Sequence, residues 1–109
     1  MGLDATVYAD DDNETKIASV RIGNLANVVR LRESIRERLP DATVLLSKVL
    51  HSAFHSGDSL QKEEVVRAKI EVEKLIERCS DDAFVKEFAA GFGRLLNTAL
   101  QHNRPVTFT

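Results

Sequence analysis

Apolar positions along this chain recur with two different periods, and the changes of period mark its elements. In Lys16 to Ile22, Ala18, Val20 and Ile22 share one side while Ile17, Ser19 and Arg21 share the other. That two-residue alternation predicts a half-buried strand. Ala5 to Ala9 has the same β-branched and aromatic character, and the Asp10-Asp11-Asp12-Asn13-Glu14-Thr15 connection makes the two runs a hairpin. From Asn24 the period lengthens. Val28, Leu31, Ile35 and Leu39 fall three or four residues apart, which predicts a helix capped by Asn24 and closed by Pro40.

The segment from Asp41 to Phe54 is ambiguous. Thr43 to Leu50 holds enough Val and Leu for a buried strand, with Leu45, Val49 and His51 on one face. The recurrence of Leu45, Leu46, Val49, Leu50, Ala53 and Phe54 favours a helix instead, with Ser47, Lys48, His51 and Ser52 opposite. A further helix from Leu60 to Arg78 has Val65, Ala68, Val72, Leu75, Ile76 and Cys79 on its inner stripe. Ser80-Asp81-Asp82 caps a last helix whose stripe of Phe84, Phe88, Phe92, Leu95, Leu96 and Ala99 is expected in the core. Gly91 and Gly93 weaken that helix, so close approach of another backbone is the expected reason for them. Asn103-Arg104-Pro105 stops the helix, and Val106 to Thr109 reads as a short strand joining the hairpin.

The order β-β-α-α-α-α-β predicts an α+β domain over residues 1–109, a small antiparallel sheet packed by three to four helices. The terminal strand leaves a sheet edge that must be covered or paired, which keeps homodimerisation open. A chain of 109 residues that is 43% hydrophobic can build one core. Its 15 basic and 17 acidic residues leave a net charge of −2, so neither nucleic acid nor a membrane surface is expected as partner. No apolar run approaches the roughly 20 residues that span a bilayer. The Met1-Gly2-Leu3-Asp4 start lacks the regions of a signal peptide, and the expected location is cytoplasmic. Cys79 is the single cysteine; it excludes an internal disulfide and lies where a core position is expected.

Candidate chemistry gathers in His51-Ser52-Ala53-Phe54-His55-Ser56-Gly57-Asp58. His51 and His55 are four apart, one face of a continuous helix, and with Asp58 they form the skeleton of a metal site. Ser56-Gly57 would break that helix, and no Glu follows His51 as the hydrolytic zinc motif requires. Ser52 and Ser56 stand beside imidazoles, but no Gly-x-Ser-x-Gly turn is present. Neither a phosphate-binding loop nor a dinucleotide fingerprint occurs, and no cofactor is expected. As a structural element the stretch is a loop and cap: Gly57 permits positive φ, Asp58 or Ser59 caps the next helix, and His55 ties the loop down. As a binding element, exposed amides at that helix start attract a partner's carboxylate beside Arg21 and Asn24. Arg30, Arg32, Arg36 and Arg38, partly neutralised by Glu33 and Glu37, form either a solvated face or an acidic partner's surface.

Gly2-Leu3-Asp4, Arg21-Ile22-Gly23-Asn24, His55-Ser56-Gly57-Asp58 and Pro105-Val106-Thr107-Phe108 together resemble a group of small bacterial proteins without an assigned activity. This chain departs from that group in its short connection between the first strands, so a site built from a longer insertion is absent. A Ser- and Asp-bearing turn before an acidic helix is also similar to one family of immunity proteins from bacterial toxin systems. The leading expectation is a non-enzymatic protein-interaction module that meets an unidentified protein partner through the arginine-bearing first helix and the His55 to Asp58 turn. Its candidate binding residues are His55, Ser56, Gly57, Asp58, Arg21, Asn24, Arg32 and Arg36, with no catalytic residue assigned. The alternative is a small metal- or ligand-binding enzyme centred on His51, His55 and Asp58.

Overall fold

In the computed structural model, which describes residues 2–11, 14–53 and 57–109, the alternating runs become strands β1 (Leu3–Tyr8) and β2 (Lys16–Gly23). They pair antiparallel, as the alternation predicts. Register shifts leave Ile22 and Ile17 without opposite residues near the two ends of β2, so only Ala18 to Arg21 runs as a regular ladder. Gly23 turns the chain out of β2 with φ +142°, and a Cβ there would stand 2.5 Å from that of Asn27, so glycine is required on both counts.

Helix α1 (Leu25–Arg38) follows, closed at its start by a reciprocal pair. The Asn27 amide donates to Asn24 Oδ1 at 2.9 Å, and the Asn24 amide donates to Asn27 Oδ1 at 3.1 Å. The ambiguous segment is helical rather than extended. Leu45–Val49 forms a π-helical turn, and Leu50 N donates to Leu45 O five residues back at 2.8 Å. Leu45, Val49, Leu50 and Ala53 are buried and Ser47, Lys48 and His51 exposed, as the helical period requires. A two-residue strand β3 (Ser59–Leu60), α2 (Lys62–Arg78), α3 (Ala83–His102) and β4 (Val106–Phe108) complete the chain.

The sheet order is β2-β1-β4-β3, antiparallel throughout. The terminal strand is therefore not an edge. Ala5 and Thr6 of β1 pair with Phe108 and Thr107, while Ser59 and Leu60 cover the other side of β4. Two residues carry no period, which is why β3 has no signal in the sequence. The architecture is α+β, with the helices against one sheet face. That face contributes Leu3, Ala5, Val7, Leu60, Val106 and Phe108 to a core completed by Leu31, Ile35, Leu75, Phe92 and Leu96. On the other face Ser19, Thr6, Thr107 and Ser59 lie in one row across all four strands, with 3.1 Å between the Thr6 and Ser19 hydroxyls.

Inside the helices two assignments change. Ile76 is exposed, and the place on the inner stripe of α2 is taken by Glu71, which is only 6% exposed. Its Oε1 accepts the Leu45 amide at 2.9 Å and its Oε2 the Val44 amide at 3.2 Å, with the Thr43 hydroxyl at 3.5 Å. A buried carboxylate from α2 thus caps the π-helical turn. On α3 the fully buried positions are Val85, Ala89, Phe92, Leu95, Leu96 and Ala99, whereas Phe84 and Phe88 are only half-buried. Asp82 caps α3 by accepting from Phe84 N and Val85 N, and Asn103 ends it at φ 54°. Among the described residues no helix is long and apolar enough to cross a membrane.

Candidate functional site

The residues singled out in the sequence do not converge. Arg21 and Asn24 belong to β2 and the start of α1, whereas Gly57 and Asp58 lead into β3. These are opposite edges of the sheet, three strand spacings or about 14 Å apart. The expected docking of one carboxylate between the turn and Arg21 is thereby overturned. Arg21 is occupied locally by a 3.4 Å pair with Asp4, on the sheet face turned away from the helices.

Of the turn itself, Phe54, His55 and Ser56 lie outside the described residues. Gly57 has φ +99°, its N–H donates to Phe108 O at 2.7 Å, and Asp58 O accepts from Phe108 N at 2.9 Å. Both backbones extend the pairing of β4. The cap of α2 is neither Asp58 nor Ser59. Gln61 occupies that position, and its amide donates to Glu64 Oε1 at 3.0 Å. His51 and Asp58 do share a polar cleft of about 290 Å³ with Ser47, Lys48, Ser59 and Glu64. Among the described residues no group of three His, Cys, Asp or Glu side chains is placed to hold a metal ion.

The four arginines of α1 have separate employments. Arg32 Nη1 donates to Leu50 O at 3.3 Å and His51 O at 3.1 Å, holding the carbonyls at the end of the π-helical turn. Arg38 makes a bidentate pair with Asp81 at 2.9 and 3.1 Å and donates to Arg78 O, tying α1 to the α2–α3 turn. This pair holds the Asp81 carboxyl below its ordinary pKa and raises that of Arg38. Arg30 stands over the Phe84 ring at 4.0 Å, and Arg36 is exposed.

Phe84 and Phe88 lead to a feature that the sequence reading put into the core. Between edge strand β2, α1 and α3 runs a cleft of about 330 Å³ floored by Phe84, Phe88, Phe92 and Leu31. Phe88 stacks on Phe92 with centroids 5.5 Å apart. Past Gly91 and Arg94 it continues into a second hollow of about 200 Å³ between Ala18 to Val20 and Leu95 to Thr98. Val20, Gly91 and Arg94 line both parts, so the two form one groove along β2 and α3. A Cβ on Gly91 would stand 3.4 Å from Val20 Cγ2, and glycine here keeps the groove open where a side chain would fill it. The four-residue spacing of Phe84 and Phe88 with the buried Phe92 hides the groove, because Val85 and Ala89 take the core places that the first two rings would fill.

No family model, curated protein or solved structure matches this chain.

Proposed function

We propose that the protein is a non-enzymatic interaction module that takes an extended segment of a protein partner along β2 and into the groove beside α3. The observation that carries this reading is the coincidence of an edge strand with a groove. Ala18 to Arg21 is the regular stretch of β2, its far side faces no other strand among the described residues, and the same residues form one wall of the groove. An added strand would satisfy the backbone groups of that edge, and its alternate side chains would reach the aromatic floor. The short length of the regular stretch and the bulges at both ends limit pairing to about four residues, a protection against unlimited edge association. Occlusion of a toxin by such a module is the use suggested by the immunity-family likeness.

The test is selection of a phage-displayed random peptide library on the purified full chain, followed by fluorescence polarisation with the enriched peptides. Binding is expected to fall about tenfold when alternate peptide amides are N-methylated, the equivalent of one or two lost hydrogen bonds. Gly91→Leu, which fills the groove while improving helix propensity, should abolish binding at unchanged or raised Tm. Failure to enrich any peptide, or binding that survives both changes, would overturn the reading.

A further inference from the structure

We infer that the wide end of this groove recognises a carboxylate carried next to a large apolar group, so that the captured segment presents Asp or Glu beside an aromatic or long aliphatic side chain. The inference rests on the groove being the binding face and adds the chemistry of its occupant. About 330 Å³ is at the low end of ligand-site volumes and suits one or two side chains. The half-buried rings of Phe84 and Phe88 offer it an apolar floor.

The charges above that floor are unequal. Arg94 projects from α3 at the junction of the two hollows, and Arg30 is held against Phe84, itself part of the lining. Glu87 is the one acidic residue among those lining the cleft. Arg21 also lines it, but its guanidinium is paired with Asp4 on the other sheet face. Asn27 commits its Oδ1 to the Asn24 amide, so what it can offer an occupant is the donor –NH₂ group. Arg94 and the Asn27 amide donor in the lining, with Arg30 on the Phe84 ring beside it, favour an anion with an apolar body over either a neutral or a cationic group.

The probe is 3-phenylpropionate, compared with 3-phenylpropanamide, in a ¹H–¹⁵N NMR titration of the full chain; neither compound can add a strand. The acid is expected to shift amides in Val20 to Ile22 and Phe84 to Arg94 and to bind about tenfold more tightly than the amide, as expected for one charge-assisted contact. Arg94→Gln should remove most of that preference, and Gly91→Leu should abolish binding of both. Equal binding of acid and amide, or shifts confined to other surfaces, would overturn the inference. If library peptides bind the groove without enrichment of acids, the carboxylate inference falls while the strand-addition reading stands. If the acid is preferred and no peptide is enriched, the carboxylate site stands and the protein-segment reading falls.

Discussion

Glu71 Oε1 accepts the Leu45 amide at 2.9 Å although 26 residues separate them, and through this bond α2 determines where the π-helical turn begins. Two amides that a short helix leaves without intrahelical partners are satisfied by one buried carboxylate. Glu71→Ala would leave both N–H groups buried and unpaired. The expected loss is about 3 kcal/mol in urea unfolding, with Glu71→Gln at roughly half, since its carboxamide keeps one acceptor oxygen. Similar midpoints for Glu71→Ala and wild type would refute the role.

That contact also shows what could be read in advance. Glu71 lies three residues after Ala68 and one before Val72, squarely on the inner stripe, yet a lone Glu in a charged helix reads as surface. Its partners lie in a segment whose own conformation was ambiguous, so no local pattern could pair them. The caps Asn24 and Asp82 and the stop at Asn103 were legible because each acts on its own turn. The sheet order was not, since β4 became central through pairing with the two-residue β3. Spacing alone puts Phe84 and Phe88 in the core, and only the placement of β2 against α3 opens a groove over them.

The Arg38–Asp81 clasp predicts an acid-sensitive increment of stability. Hydrogen bonding and charge from Arg38 lower the Asp81 pKa in the folded state relative to the unfolded chain. The increment is therefore complete above the unfolded value near pH 4 and is lost as pH falls through the lower folded value. Asp81→Asn should reduce Tm at pH 7, and the gap to wild type should narrow as pH falls below about 4. A gap of constant size through that fall would remove the ion pair as its cause. Both side chains are substantially exposed, so the effect is expected to be small and to shrink in salt.

Arg32 and Arg36 are expected to part company on substitution. Arg32→Met removes the donor to Leu50 O and His51 O and should cost about 1 kcal/mol. Faster amide exchange should follow in Leu50 to Ala53, read by hydrogen–deuterium exchange. Arg36→Glu is exposed and should stay within about 0.5 kcal/mol of wild type. Arg36 is consequently the clean probe of an acidic partner on α1, because loss of binding on reversing Arg32 would mix charge with unfolding of the π-helical turn.

Cys79 is fully buried, and burial pushes its thiol pKa above the ordinary value. Thiolate is then scarce at neutral pH and shielded when present. Reaction with Ellman's reagent at pH 8 should be slow in buffer and immediate in denaturing urea. A fast native reaction would place Cys79 at the surface, contrary to the packing of the α2–α3 turn.

Gly91 and Gly93 occupy the same helix and should respond differently to alanine. Gly→Ala in a helix interior gains about 1 kcal/mol when space exists. A Cβ on Gly91 would meet Val20 Cγ2 at 3.4 Å, an ordinary contact, so Gly91→Ala should raise stability by a substantial part of that amount. On Gly93 the same atom would stand 3.2 Å from Val72 Cγ1, between two packed helices, and the crowding should cancel or exceed the gain. Close approach therefore explains Gly93, but the approaching group is a side chain of α2 and not a backbone. Val72→Ala removes the obstructing methyl groups, so Gly93→Ala should become favourable in that background. A double-mutant cycle by urea unfolding should give a coupling of about 1 kcal/mol, and additivity would leave Gly93 without this explanation.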